Sequence, residues 1–375
     1  MLRANLSDSD VERLQFKVQN QRSCEVKVFR SPNNPIIKPE DIKPSRDDFE
    51  VIGVFNAGVT RYKDEVVLLL RVAERPINKH PDIVLTAIYD VSKGQLVIKE
   101  FPKGDQENDF SDPRLIITPS RTYLTSISHL RLARSKDGIG FEIENTPAIQ
   151  PANDYETFGL EDPRISLIDD TYYINYVGVC PLGVTTCLAS TKDFTTFERH
   201  GVIFCPDNKD VVLFPESLDG KFYAMHRPVS PLFGKQDIWI AESPDLRCWG
   251  NHHYLIGPRP DYWDEMKIGA GAVPCKIEQG WLEIYHGVDR NNRYCLGAVL
   301  LNSREPWKVT ARTEKPVFEP QAPYECNGFF GNVVFSCGLL CEDEKLKIYY
   351  GAADTTICYA ELSLKETIKA LKMFG

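Results

Sequence analysis

The 375-residue sequence lacks any apolar run long enough to cross a membrane as a helix, so no membrane partner is expected. It also lacks an excess of positive charge. Its 44 Lys and Arg face 53 Asp and Glu, a net charge of -9, which argues against nucleic acid as a partner. Any anion site must be local and built against the overall field. The 11 cysteines lack C-x-x-C spacing and read as reduced, mostly buried thiols of a cytoplasmic protein. Cys180, Cys187 and Cys337 fall in strand-like runs and read as core. The first 24 residues carry no apolar signal-peptide core. There is no Walker loop, no G-x-G-x-x-G after a strand, no H-E-x-x-H and no G-x-S-x-G, so neither a metal nor a nucleotide cofactor is expected. Gly269-Ala270-Gly271 reads as a close approach of backbones.

What is present is strand. Val66–Val72, Tyr172–Val177, Trp281–Tyr285 and Leu346–Tyr350 are β-branched and aromatic, bounded by Gly, Asp and Pro turns. Val66, Tyr123, Tyr172, Phe222, Trp281 and Leu346 recur at about 50–65 residues, a spacing that fits propeller blades. Asp-Pro-Arg occurs at Asp112-Pro113-Arg114 and again about 50 residues on at Asp162-Pro163-Arg164, as if two blades began alike. A proline-framed segment recurs at 34–39, 146–151 and 315–320. The last unit is one strand short, so the strand at Asn34–Pro39 is expected to complete it and close the ring, which hides sheet edges. The count is five or six units, with a β-sandwich as the alternative all-β fold. Helical signals sit at the ends. Residues 7–21 read as a helical arm and a candidate contact for a homo-oligomer, and Ser363-Leu364-Lys365-Glu366 opens a helix through Met373. The expected divisions are an arm at 1–33, a propeller at 34–362 and a C-terminal helix at 363–375.

Polar residues stand at strand ends where a core does not want them. Asn56 follows Phe55; Arg71 ends a strand with Arg75 just beyond; Lys209-Asp210 opens another; His226-Arg227-Pro228 ends its partner; Lys267, His286 and Asp354 sit at further strand ends. If all blades enter the channel in one sense, these ends converge on one mouth. Carboxylates, cations, His and aromatics together suit a sugar plus an anion. Against this stand plainer readings. A basic residue beside a strand is often a solvated face, Asp-Pro is a common turn starter, and either His226 or His286 fits a satisfied core histidine.

These residues resemble glycoside hydrolase family 130, the β-mannoside phosphorylases. The resemblance runs from about Asn34 to Asp354 and rests on Asn34-Pro35-Ile36-Ile37, Gly159-Leu160-Glu161-Asp162-Pro163-Arg164, Leu213-Phe214-Pro215-Glu216, His226-Arg227-Pro228, Tyr285-His286-Gly287 and Tyr349-Tyr350-Gly351-Ala352-Ala353-Asp354. Thr125–Ala133 is similar to the β-1,2-mannobiose and β-1,2-oligomannan branch. The resemblance implies a five-bladed propeller with helical ends, and inverting phosphorolysis of a β-mannoside to α-mannose 1-phosphate. Inorganic phosphate is then the co-substrate and no cofactor is needed. It implies Asp162 as the acid, acting through a sugar hydroxyl, because only the second Asp-Pro-Arg follows a Glu. It implies Lys209, Arg227, Lys267 and His286 as the phosphate cradle, and Asn56, Arg71, Arg75 and Asp354 as mannose-binding groups. Arg164 is expected to hold the Asp162 carboxylate. Asp112 is expected to keep a turn, with Arg114 pairing locally. Related kinetoplastid mannosyltransferase-phosphorylases add GDP-mannose as an expected donor. A hydrolase using Glu216 as base and a non-catalytic sugar-binding propeller are the rival readings.

Overall fold

The structure, a computed structural model, describes residues 25–230 and 232–374. The expected helical arm at 7–21 lies outside them. Strand β1 (Val28–Arg30) precedes five antiparallel sheets arranged as blades. Blade one holds β2 (Phe49–Tyr62) and β3 (Glu65–Pro76), then an insertion of two hairpins, β4 (Ile83–Asp90) with β5 (Gln95–Pro102) and β6 (Leu115–Ile117) with β7 (Thr122–Leu124). It is completed by β8 (Ile127–Ser135) and β9 (Glu142–Ile143). Blade two is β10 (Leu160–Ile168), β11 (Thr171–Cys180), β12 (Gly183–Thr191) and β13 (Glu198–Phe204). Blade three is β14 (Asn208–Leu213), β15 (Phe222–Pro228), β16 (Ile238–Ser243) and β17 (Gly250–Ile256). Blade four has a broken inner strand, β18 (Lys267–Gly269) and β19 (Cys275–Ile277), then β20 (Gly280–Val288), β21 (Tyr294–Leu301) and β22 (Val309–Thr313). Blade five is β23 (Val334–Glu342), β24 (Lys345–Ala352) and β25 (Thr356–Ser363), with β1 outermost. Apolar side chains fill the spaces between neighbouring blades; Trp281 and Phe214, for example, pack edge to face between blades four and three. Cys180, Cys187 and Cys337 are buried as expected.

The inner strands explain how polar groups reach the channel. In blades one, two and three the ladder skips one residue at the same place: between Phe55 and Gly58, between Glu161 and Arg164, and between Lys209 and Val212. The extra residue is a bulge, which bends the strand and re-aims a side chain. Its first position is Asn56, Asp162 or Asp210, at φ of 51°, 50° and 52°. Asn and Asp tolerate this left-handed region best among residues with a Cβ, at a cost of about 1 kcal/mol or more each. Pro163 fits in the second blade because a bulge leaves its residue outside the ladder. Gly58 has no such freedom of replacement, since a Cβ there would press on the Pro163 carbonyl of the next blade.

The structural counterparts of Asp162 are therefore Asn56 and Asp210, and not Asp112. The first Asp-Pro-Arg lies in the blade-one insertion, just ahead of β6, and Tyr123 belongs to β7 rather than to the core of a blade. Similar spacing had suggested equivalence that the topology does not support.

Closure differs in detail from expectation. Val28–Arg30 supplies the outer strand of blade five, pairing with Ala360–Leu362, while the proline-framed segment adds only a bridge from Ile37 to Ile357. Ile149 and Phe318 make the same kind of bridge to the third strands of blades one and four, so that recurrence is a real repeat. The Asn34 side chain accepts from Tyr359 N at 2.8 Å and donates to Tyr359 O at 2.9 Å, standing in for a strand residue. At the other end, helix Leu364–Ala370, capped by Ser363, is shorter than expected, and Leu371–Met373 forms a strand on β22 of blade four. The ring thus extends beyond the expected 34–362 on both sides.

Three blades share a buried clasp that the sequence had not revealed. A carboxylate takes a tyrosine hydroxyl from the second strand and an arginine from the fourth: Glu156 with Tyr176 and Arg199, Asp264 with Tyr285 and Arg312, Glu325 with Tyr350 and Arg30. In blade five that arginine comes from β1.

Candidate active site

The bulges open onto a cavity of about 310 Å³ at one end of the channel. Every blade contributes. Blade one brings Asn56 and Arg71; blade two, Glu161 and Asp162; blade three, Lys209, Asp210 and Arg227; blade four, Lys267, His286 and Tyr294; blade five, Asp354 and Phe335.

One side centres on Asp162. Its Oδ1 accepts from Asn56 Nδ2 at 2.9 Å and from Arg71 Nη1 at 2.9 Å. Arg71 Nη2 donates to Glu161 Oε1 at 2.8 Å, and Lys209 Nζ donates to Glu161 Oε2 at 3.2 Å. The Arg71 guanidinium lies over the Phe55 ring, 4.6 Å from its centre. Burial raises the Asp162 carboxyl, but Arg71, Arg164, Lys209 and the Asn56 amide together hold it below the ordinary carboxylate range. Its neighbours therefore favour the ionised form of Asp162.

The other side centres on Asp210. Its carboxylate faces Arg227 Nη1 at 3.0 Å, Arg164 Nη2 at 3.4 Å and His286 Nε2 at 3.4 Å. Burial opposes its charge, yet Arg227, His286 and Arg164 keep it well below its usual range. Gly269 is required here, because a Cβ would overlap Asp210 Oδ2 and the His286 ring. Burial pushes His286 down to about 3, with Arg227 and Lys267 adding to the effect, so this ring offers a hydrogen bond and not a charge near neutral pH. Lys267 has no carboxylate partner among the described residues. Its ammonium sits 4.9 Å from the centre of the Tyr294 ring. Burial, then Arg227, pulls Lys267 down to about 8. Asp354 faces the same space from blade five, and burial, with Asp162 and Glu161 adding, raises it to about 6 against the opposing pull of Arg71.

The structure brings together Asn56, Arg71, Asp162, Lys209, Arg227, Lys267, His286 and Asp354, as the sequence reading had grouped them. Arg75 is not among them. It is half exposed and pairs with Glu50 at 2.7 Å, because four residues of strand carry it about 13 Å beyond Arg71. Arg164 makes no hydrogen bond to the Asp162 carboxylate and acts on it only through its charge. It donates to the Asp162 backbone carbonyl at 3.0 Å and to Gly271 O at 3.0 Å, pinning the bulge from beneath. His226 is turned away, bonded to Asn208 and His252 and stacked on Phe204, so it does not compete with His286. Glu216 pairs with Lys276 outside the cavity. Asp210, Glu161 and Tyr294 were missed as site residues. Asp210 was findable, since Lys209-Asp210 opens its strand as Glu161-Asp162 does. Tyr294 carries no such signal; the turn before β21 places it.

The family described as beta-1,4-mannooligosaccharide phosphorylase, glycoside hydrolase family 130, matches residues 111–373. The chain belongs to glycoside hydrolase family 130. It is 47% identical over 350 residues to a beta-1,2-mannobiose phosphorylase of Listeria innocua, spanning 92% of this chain and 99% of the relative. It is 42% identical over 253 residues to a 1,2-beta-oligomannan phosphorylase of Thermoanaerobacter, spanning 67% of this chain and 83% of that one. The Listeria innocua enzyme has been solved with beta-1,2-mannobiose bound, and its fold superposes with a TM-score of 0.89 over 92% of this chain and 99% of the other. The family match begins at residue 111, so Asn56 and Arg71 fall outside it. The 92% coverage shared with the Listeria innocua enzyme leaves at most a tenth of the chain unmatched, so the family assignment extends beyond that segment.

Proposed function

We propose that this family 130 protein cleaves β-1,2-linked mannosides with inorganic phosphate, releasing α-mannose 1-phosphate, and runs the reverse synthesis. The observation that carries the reading is the meeting, in one cavity, of the Asp162 carboxyl with a cationic face at Lys209, Arg227 and Lys267. An inverting hydrolase needs a second carboxylate to activate water. A phosphorylase needs instead a place for an anion on the far side of the sugar. A phosphate oxygen forms the new bond to the anomeric carbon as the glycosidic bond breaks. The leaving oxygen takes up the proton supplied by Asp162 through a mannosyl hydroxyl, the route the family resemblance implies.

Asp162 must gain a proton to do this, although its cationic neighbours favour the ionised form. Phosphate supplies the reason. Its negative charge beside Lys209 and Arg227 offsets the cations that depress Asp162, so its proton affinity rises when the nucleophile arrives. Acid and nucleophile are then made ready together. The guanidinium of Arg227 suits a planar two-point grip on phosphate, while Lys209 and Lys267 act as point charges.

The hydrolytic rival loses its base: Glu216 is engaged with Lys276 away from the cavity, and within the cavity Glu161 is bound by Arg71 and Lys209 and Asp210 is paired with Arg227 and Arg164. The remaining carboxylate at the mouth, Asp354, lies beside Arg71 and is suited to sugar hydroxyls. Transfer from GDP-mannose belongs to the same proposal, supported by a cationic face able to hold the phosphate next to the sugar. The test is product identity with β-1,2-mannobiose. Phosphate-dependent mannose 1-phosphate supports the reading. Free mannose formed at the same rate with and without phosphate overturns it. Release of GDP on mixing GDP-mannose with mannobiose tests the transferase part separately.

A further inference from the structure

Arg114 was expected only to pair locally. It does pair with Asp112, Nε to Oδ1 at 3.0 Å and Nη2 to Oδ2 at 2.7 Å, but it also lines the cavity. The insertion of blade one carries it across the mouth to blade five, where its guanidinium lies over the Phe330 ring at 5.1 Å. Phe330 packs edge-on against Tyr294 at 6.1 Å, and Tyr294 stacks on His286 at 6.2 Å. A continuous column thus runs from Arg114 at the rim to the buried end of the cationic face. The guanidinium is near enough for its charge to act on Lys267 and on Asp354. Its Nη1 has no hydrogen-bond partner among the described residues.

From this placement we infer that Arg114 is a further phosphate-binding residue, delivered over the mouth by the blade-one insertion. The inference rests on the phosphorolytic reading above. In-line displacement puts phosphate and the departing sugar on opposite faces of the anomeric carbon. Arg114 stands near Tyr294 and Lys267 of the cationic face, and near Asp354 at the mouth. Its side chain is 48% exposed and that of Asp112 28%, so their bond is a surface pair of little strength. A phosphate dianion offers the same forked geometry with more charge, and Arg114 exchanges Asp112 for it. Phe330 keeps the guanidinium plane oriented during the exchange. Asp112 is then a competitor that orients the arginine.

The two residues make opposite predictions. In steady-state phosphorolysis of β-1,2-mannobiose, Arg114→Ala raises the KM for phosphate on the order of 10-fold, and the KM for mannobiose changes less than about 2-fold. Arg114→Lys recovers only part of the loss, because an ammonium cannot reproduce the fork. Asp112→Asn keeps the turn, since its amide oxygen still accepts from Arg114 N, and it lowers the KM for phosphate. Titration of inorganic phosphate into the sugar-free protein reports the same order of affinities. A loss confined to mannobiose, or no change in Arg114→Ala, overturns the inference while leaving wild-type phosphorolysis intact. Absence of phosphate-dependent cleavage in the wild type is the separate failure of the underlying reading.

Discussion

Arg71 and Asp162, on neighbouring blades, are joined by a 2.9 Å hydrogen bond from Nη1 to Oδ1. The same guanidinium holds Glu161, so the acid and the residue before it share one clamp. Asp162→Asn keeps both hydrogen-bond donors in reach but removes the transferable proton and the charge that pairs with Arg71, which retains Glu161. Turnover should fall by about 10² to 10⁴, the usual contribution of a general acid, while the thermal midpoint stays close to wild type. Near-normal kcat in a folded Asp162→Asn protein would show that the acid lies elsewhere.

Arg227→Ala should raise the KM for phosphate at least on the order of 10-fold and leave mannobiose binding nearly unchanged. It also leaves Asp210 with Arg164 and His286 as partners, so some stability is lost as well. Equal losses for both substrates would remove Arg227 from the cradle.

Lys267, partly buried and pulled down to about 8, gives a pH signature. Its charge is complete well below pH 8 and is lost as pH rises through that value. The KM for phosphate should therefore climb above about pH 8 in the wild type. Lys267→Arg, which does not titrate in this range, should flatten the climb. A profile that stays the same in both proteins would assign the titration to another group.

Asp354 is raised from 3.8 to about 6, so its ionised form opposes folding. The folded state binds this proton more tightly than the unfolded chain does. Stability from this group is therefore lost as pH rises from about 4 to about 6, and the cost persists above. Asp354→Asn should melt higher than wild type at pH 8, by a few degrees, and the gain should shrink at pH 4. Activity should fall in the same variant, the pattern of a site that trades stability for function. An equal shift at both pH values would refute the burial argument.

Arg30 meets a fully buried Glu325 at 2.8 Å, and losing one partner of such a pair is costly. Tyr350 and two backbone amides still serve Glu325, so Arg30→Ala should cost about 2–4 kcal/mol, below the full value for an orphaned buried charge. Chemical denaturation measures this directly. A change under about 0.5 kcal/mol would mean that β1 adds little to closure.

Much of this was legible from the chain, and the exceptions share a cause. Strand runs, ring closure and the convergence of Asn56, Arg71, Asp162, Arg227 and His286 follow from patterns local to each strand end. Spacing misled where an insertion of nearly one blade's length sits inside blade one and imitates the repeat, as Asp112-Pro113-Arg114 does. Arg75 shares a face with Arg71, but the sequence does not show where the cavity stops. Arg30 and Glu325 of the clasp are 295 residues apart, with Tyr350 farther on still, and no local pattern joins the three. Asp210 looks like the start of one more strand until the bulges of three blades are superposed.

The outer strand of blade five is made first and its partners last. During synthesis, Val28–Arg30 waits for Thr356–Ser363 while more than 300 residues are added, on the order of tens of seconds at about 5–20 residues per second. Each blade before that can form its own sheet, but none holds a site, since the acid, the cations and Asp354 come from different blades. On the proposed reading, a chain halted before Asp354 should be without activity rather than partly active. Catalytic competence appears all at once, when the oldest described strand meets one of the newest.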